Sequence, residues 1–159
     1  MLYNIPAIDN LALGDIKKIP DKERIRKAAQ DAGIGDVLDR LPHGYDTLLG
    51  NLFKGGEELS IGQWQKMAVA RAFYRDAPLL LMDEPSSALD AASELQMIKS
   101  LQQLSSNKTA VIVSHRLTTI QWADLIYMFH EGEIIESGNH KELMTLKGKY
   151  YDLFQTVTS

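Results

Sequence analysis

Between Pro78 and Phe129 the chain passes through three short apolar runs, Leu79 to Met82, Ala110 to Val113 and Leu125 to Phe129, separated by helix-patterned segments. Short apolar runs bounded by turn signals suit strands covered on both faces. Leu79-Leu80-Leu81-Met82 is therefore predicted to be a fully buried strand that ends in Asp83-Glu84-Pro85. Strands alternating with helices from residue 78 onward imply an α/β fold, a mostly parallel sheet with helices on both faces. Glu131-Gly132 is expected to turn the chain into a last strand, Glu133 to Glu136. Short helices are expected near Thr118 to Ala123, Lys141 to Leu146 and Tyr150 to Thr156.

The first 76 residues have a different pattern, mainly helical. Residues 1–20 show no sustained period and contain Pro6, Gly14 and Pro20, so they are predicted to be irregular. Asp21 is placed to cap a helix reaching about Ala32, with Ile25, Ala28 and Ala29 along one side. A short helix from Asp36 to Leu41 stops at Pro42, and the glycine-rich stretch His43 to Glu58 is expected to be a loop. At Ser60 the period becomes helical again. Ser60 and Gln63 form an S-x-x-Q capping box, in which each side chain accepts a hydrogen bond from the other residue's backbone N–H. Trp64, Met67, Ala68 and Ala72 follow at helical spacing, and Asp76 and Pro78 end the element. Asp90 caps a further helix, on which Leu95, Ile98, Leu101 and Leu104 share a face. The expected division is a helical subdomain over 1–76 and an α/β part over 77–159.

Composition narrows the function. A formal charge of −4 gives no support to a nucleic-acid footprint, which needs a basic face. Lys17, Lys18, Lys22, Arg24, Arg26 and Lys27 are interleaved with acidic residues and suit a solvated helix face better than a polyanion site. The chain has no cysteine, which excludes disulfides and thiolate metal sites. Its longest apolar run, Pro78 to Met82, falls far short of the ~20 residues that span a bilayer, so a membrane link is expected to run through a partner.

Three constellations carry chemistry. Leu59-Ser60-Ile61-Gly62-Gln63 opens a helix, where unpaired N–H groups and the positive end of the helix dipole attract phosphate. Ser60 adds a hydroxyl, and Gly62 allows close backbone approach by a ligand. Asp83 and Glu84 stand at the carboxyl end of a strand, where α/β sheets gather ligands. One carboxylate there can hold Mg²⁺, and its neighbour can orient or deprotonate an attacking water. His115 follows the strand Val111-Ile112-Val113-Ser114 and can donate to a phosphate oxygen. Taken singly, each feature has a structural alternative: a well-capped helix, a chance acidic strand exit, a histidine that only hydrogen-bonds within the fold.

Together, in this order and spacing, they resemble the ATP-binding cassette (ABC) ATPases. Leu59 to Phe73 is similar to their signature motif and helix, Leu79 to Glu84 to their Walker B strand, Ser87-Ala88-Leu89-Asp90 to their D-loop, and His115 to their switch histidine. Gly44-Tyr45-Asp46-Thr47 through Gly55-Gly56 resembles the loop before the signature in exporter-type members, and Gly132 to Gly138 with His140, Glu142, Leu143 and Gly148 to Gln155 their C-terminal segment. The resemblance implies a P-loop NTPase-like fold and a head-to-tail pair of nucleotide-binding domains that clamps ATP and Mg²⁺. Ser60, Gly62 and Gln63 would contact the γ-phosphate of the opposite subunit's ATP. Asp83 would organise Mg²⁺, Glu84 would polarise the attacking water, His115 would stabilise charge on the transferring phosphoryl group, and Asp90 would connect the two sites. Partner transmembrane domains would place the chain on the cytoplasmic side of the cell membrane. Gln63-Trp64-Gln65-Lys66 resembles peptide and lantibiotic exporters, although Trp64 equally suits the helical core, and the transported substrate is not readable from these residues.

Two departures qualify the resemblance. The signature usually has glycine where this chain has Ile61, whose side chain could narrow the approach to the nucleotide; tuning rather than loss is expected. No G-x-x-x-x-G-K-[ST] is present: Gly50 and Gly55 have that spacing but lead into Gly56-Glu57. Leu2 to Gly14 resembles the segment that follows the family's Mg²⁺-reaching glutamine, so the sequence reads as a fragment, inactive alone and with an edge of Asp83's strand left unpaired. The competing reading is a non-catalytic module that lends its signature to a partner's ATP site. A soluble ABC ATPase of DNA repair or translation is disfavoured by the exporter-like loop and tail.

Overall fold

A computed structural model describes residues 4–50 and 56–158. The chain divides into two compact units, the first ending at Ile112 and the second beginning at Val113. The expected loop over His43 to Glu58 falls partly on residues 51–55, outside the described residues. Its described part includes a 3₁₀ turn at Gly44–Asp46 and short bridges, Leu49 N–H to Ile5 O at 3.1 Å and Gly50 N–H to Glu57 O at 2.8 Å.

The first unit opens with a correction. Residues 7–12, predicted to be irregular, form helix α1 (Ala7–Ala12), followed by a 3₁₀ turn at Leu13–Asp15. No side chain caps α1, and six residues are too few to be helical on local propensity. Tertiary contacts hold it instead. Ala7, Asn10 and Leu11 are buried, and Arg71 donates from Nε to Asn10 O at 2.9 Å and from Nη2 to Asn10 Oδ1 at 2.7 Å. Gly14 is required by close approach, because a Cβ there would come within 2.5 Å of the Arg71 carbonyl oxygen.

Helix α2 (Lys22–Asp31) follows its predicted cap: Asp21 Oδ1 accepts from Glu23 N–H at 3.0 Å and Arg24 N–H at 3.1 Å. Ile25, Ala28 and Ala29 are buried as expected. Helix α3 (Gly35–Asp39) is short and stops before Pro42. The long helix α4 (Ile61–Arg75) packs against α1 and α2, with Trp64, Met67, Val69, Ala70 and Tyr74 buried. Trp64 is a core residue, its indole N–H donating to Glu58 Oε1 at 3.4 Å. Asp76 ends α4 in the left-handed region at φ 56°, and its carboxylate pairs with Lys108 Nζ at 2.7 Å.

Strand β1 (Leu79–Asp83), helix α5 (Ala91–Ser105) and all but the last residue of strand β2 (Thr109–Val113) complete this unit. β1 and β2 are hydrogen-bonded neighbours joined through a helix, the connectivity of a parallel pair. The expectation that Leu79 to Met82 is fully buried is wrong. Leu80 is 5 % exposed, but Leu79 and Leu81 are 51 % and 72 % exposed. Side chains alternate across a strand, and only the Leu80 face is covered among the described residues. On α5 the buried set is Glu94, Met97, Ile98, Ser100, Leu101 and Leu104, whereas Leu95, expected on the apolar face, is exposed.

The second unit carries helix α6 (Leu117–Ile120), strands β3 (Ile126–His130) and β4 (Glu133–Gly138), and helices α7 (His140–Leu146) and α8 (Lys149–Thr158). β3 and β4 pair antiparallel through the expected turn, with Glu131 at φ 49° and Gly132 at φ 85°. Two positive φ values match the type I′ hairpin geometry that follows the twist of the strands. Ile126, Leu143 and Tyr150 form its core, packed by Ile120, Ala123, Met128, Met144 and Phe154. Asn139 and Glu142 make a second capping box at the start of α7. The Glu136 carboxylate accepts from the N–H groups of Lys149 at 2.6 Å and Tyr150 at 3.1 Å, which caps α8.

Candidate functional site

The tip of α4 is built by the capping box read from the sequence. Ser60 Oγ accepts from Gln63 N–H at 3.2 Å, and Gln63 Oε1 accepts from Ser60 N–H at 2.8 Å. Ser60 is exposed, Gly62 and Gln63 are half-buried, and Ile61 is 73 % exposed. Four turns of helix lie behind this tip, so its dipole favours an anion. The Gln63 carbonyl is engaged with the cap, which leaves its NH₂ and the Ser60 hydroxyl as the donors a ligand would meet.

Asp83 is the last residue of β1 and is exposed; Glu84, immediately after it, is half-buried. Glu84 has φ 46°, the left-handed region that a non-glycine residue enters at a cost. Two turns follow without a break: Ser87 N–H donates to Glu84 O at 3.2 Å and Leu89 N–H to Ser86 O at 3.1 Å. Ser86 is 1 % exposed, and its hydroxyl has no hydrogen-bond partner among the described residues. Asp90 then caps α5, its Oδ1 accepting from Ala92 N–H at 3.1 Å and Ser93 N–H at 3.0 Å. The hydrogen bonds from Ser93, the backbone one foremost, hold its carboxyl below the usual carboxylate range.

The structure brings the helix tip and the Ser87–Asp90 turn together. Gln65, one turn beyond Gly62, donates from Nε2 to Ser87 Oγ at 2.9 Å, and its Oε1 accepts from Ala88 N–H at 3.3 Å. At Gly62 itself a Cβ would come within 2.9 Å of Leu89 Cδ2. The absence of a side chain at Gly62 thus makes room for the turn. Gln65 was not singled out from sequence as a site residue. The only signal was its spacing, three residues after Gly62 on the same helix face.

His115 lies in the second unit, two residues after the end of β2, and is exposed. Beside it Ser114 Oγ accepts from Arg116 N–H at 3.1 Å. Among the described residues no group of three or more His, Asp or Glu side chains is gathered to cage a metal, and no helix is long and apolar enough to cross a membrane.

Comparison with known proteins places this geometry in a family. The family model described as ABC transporter matches residues 7–87, which spans α1 through the turn at Ser87. The ABC multidrug transporter atrD of Emericella nidulans is 45 % identical over 152 residues, 96 % of this chain and 11 % of the relative. An ATP-dependent lipid A-core flippase of Ralstonia nicotianae is 43 % identical over 155 residues, 96 % of this chain and 26 % of the relative. A solved bacterial Atm1-family ABC exporter with ATP bound superposes with a TM-score of 0.87 at 32 % identity, covering 99 % of this chain and 27 % of the exporter. The chain thus spans between a tenth and about a quarter of the length of these relatives. With a family model matched over half of its residues, this chain belongs to the ABC transporter family.

Proposed function

We propose that this chain supplies part of the ATP-hydrolysing domain of an ABC exporter, contributing to ATP sites that other polypeptide segments complete. Ser60, Gly62 and Gln63 serve the γ-phosphate of an ATP held by a second nucleotide-binding domain in a head-to-tail pair. Asp83 and Glu84 serve an ATP held by the chain's own domain, and His115 has the role of the family's switch histidine. The observation that carries this reading is the α4 tip: Ser60 is exposed at the positive end of a 15-residue helix and keeps its hydroxyl proton for a ligand.

The roles are those that the family resemblance implies, and the chemistry of each group suits them. Asp83, an exposed strand-end carboxylate, offers the hard oxygen donor that Mg²⁺ takes, and the lack of an all-protein cage among the described residues suits an ion bound by one carboxylate plus substrate phosphates. The bound ion supplies charge neutralisation at the phosphate oxygens. Glu84, turned by its left-handed backbone, orients the attacking water and takes its proton. His115 donates to the transferring phosphoryl group. Asp90, fixed on the start of α5, links one site to the other. Phosphoryl transfer rests on such positioning and electrostatics, so losing Glu84 slows turnover far more than it weakens nucleotide binding. Closure and release of the paired domains would move transmembrane partners at the cytoplasmic face of the membrane, and those partners would set the substrate.

A second reading, a non-catalytic module that lends only its signature tip, is favoured by one observation: the 159 residues contain no G-x-x-x-x-G-K-[ST]. One set of assays separates the two. The isolated chain is expected to show no ATP turnover above background, and turnover abolished by Glu84→Gln would overturn that expectation. Mixed with a complete ABC nucleotide-binding domain, it is expected to raise ATP hydrolysis, and Ser60→Ala is expected to remove the gain. Joined to a segment bearing a phosphate-binding loop, the chain is expected to hydrolyse ATP itself, with Glu84→Gln lowering kcat by about 100-fold or more. Activity in the mixture but none in the joined protein would favour the lending module. Absence of both would sink the ATP reading.

A further inference from the structure

We propose that Gln65 is a positioning residue that fastens the Ser87–Asp90 turn to the tip of α4, so that helix tip, turn and the backbone of Glu84 move as one body. The catalytic consequence rests on the function proposed above; the fastening does not.

A single amide here meets two different demands. Ser87 Oγ lies 2.9 Å from Gln65 Nε2, and Ala88 N–H points to Gln65 Oε1 at 3.3 Å. One turn earlier Gly62 leaves room for Leu89, which is 9 % exposed and would collide with a Cβ there. The turn is thus held by polar contacts at Ser87 and Ala88 and by close packing at Leu89. From there the constraints run both ways along the chain. Ser87 N–H donates to Glu84 O at 3.2 Å, which ties the turn to the residue at φ 46°. Asp90 Oδ1 accepts from Ala92 and Ser93, which ties it to α5. A left-handed non-glycine residue persists only where its surroundings over-determine it. Gln65 supplies part of that determination from outside the segment, by way of Ser87.

The chemistry also predicts which replacements work. Glutamate keeps an acceptor for Ala88 N–H and can accept from the Ser87 hydroxyl, which simply reverses its role. Leucine is similar in size and makes neither bond. The test is amide hydrogen exchange by NMR on the full 159-residue chain. Gln65→Leu is expected to speed exchange at Ala88 by about tenfold, with Gln65→Glu staying within about twofold of the parent and the α4 interior unchanged in both. If Gln65→Leu disrupts folding, Ser87→Ala removes the Gln65 Nε2 contact at an exposed position and is expected to shift Ala88 in the same direction by a smaller factor. Exchange at Ala88 that ignores both Gln65→Leu and Ser87→Ala would overturn the fastening.

A second readout separates the fastening from its catalytic consequence. In the mixture with a complete nucleotide-binding domain, Gln65→Leu is expected to cut the stimulated kcat by about tenfold at unchanged KM for ATP, with Gln65→Glu restoring it. Altered exchange with unchanged stimulation would refute the positioning role in catalysis. Altered exchange with no stimulation by the parent chain would leave the fastening intact and count against the ATP reading.

Discussion

In the helical part of the first unit, Leu11, Ile25, Ala29, Ile34, Leu38 and Met67 are all 0 % exposed, whereas in the strands that follow Leu81 is 72 % and Val113 60 % exposed. The two regions use similar apolar residues to different ends. α1, α2 and α4 present one stripe each, and the stripes cover one another. A strand in a parallel sheet needs cover on two faces, and β1 and β2 find it on one. The helical region therefore closes its own core within the described residues, while the strands carry apolar surface suited to further partners. Except for His115, the residues proposed for chemistry lie at the ends of these two regions: Ser60 to Gln65 at the tip of the closed one, Asp83 to Asp90 after the first strand of the open one.

The sharpest way to break that comparison is a pair of truncations. Met67→Ala, at a position with no solvent exposure, is expected to cost about 2–5 kcal/mol of unfolding free energy. Leu81→Ala, removing a similar volume from an exposed face, is expected to change stability by less than about 0.5 kcal/mol. Urea unfolding of the two variants beside the parent measures both. A large loss at Leu81 would mean that the β1 face is covered in solution, and the contrast between the regions would fail.

A smaller effect tests how the closed region is locked. Arg71 reaches α1 with two nitrogens, binding both the backbone and side-chain oxygens of Asn10, itself fully buried. Arg71→Ala is expected to cost about 1–3 kcal/mol, because polar groups of a buried residue lose charged donors. Arg71→Lys should recover little of that loss, since an ammonium does not reproduce the planar fork. Full recovery with lysine would show that charge alone, rather than the paired geometry, holds α1 against α4.

What the sequence disclosed and what it hid follow the same division between local and distant causes. The caps at Asp21, Ser60 and Asp90 were legible because cap and capped N–H lie within three residues. The Glu131-Gly132 hairpin was legible for the same reason. α1 was not, since its helix depends on Arg71, 61 residues away. The exposed face of β1 was hidden too: an apolar run states that a strand can be covered twice, not that both covers are present. At the candidate site the residue types were legible and their arrangement was not. Nothing local marks Glu84 for a left-handed backbone, and the Gln65 contacts join residues 22 and 23 positions apart.

The smallest expected effect concerns charge at the ends of the strand region. Asp90 is held below the usual carboxylate range by its hydrogen bonds from Ser93, and Asp76 by its hydrogen bond and charge pairing with Lys108. Both folded values lie below the unfolded ones, so each group adds stability that is fully present above the ordinary carboxylate pKa of about 3.9 and lost as pH falls through the folded value. Unfolding midpoints in urea are therefore expected to be flat from neutral pH down to about 5 for these two groups and to fall below about 4. Asp90→Asn keeps a good N-cap without a titrating proton, so it should leave neutral-pH stability nearly unchanged and flatten the acid slope. Asp76→Asn should flatten it as well while losing the ion pair to Lys108, which is exposed on the aspartate side and contributes little. If Asp90→Asn leaves the acid slope as steep as in the parent, the cap at the start of α5 does not carry the charge-dependent part of the stability.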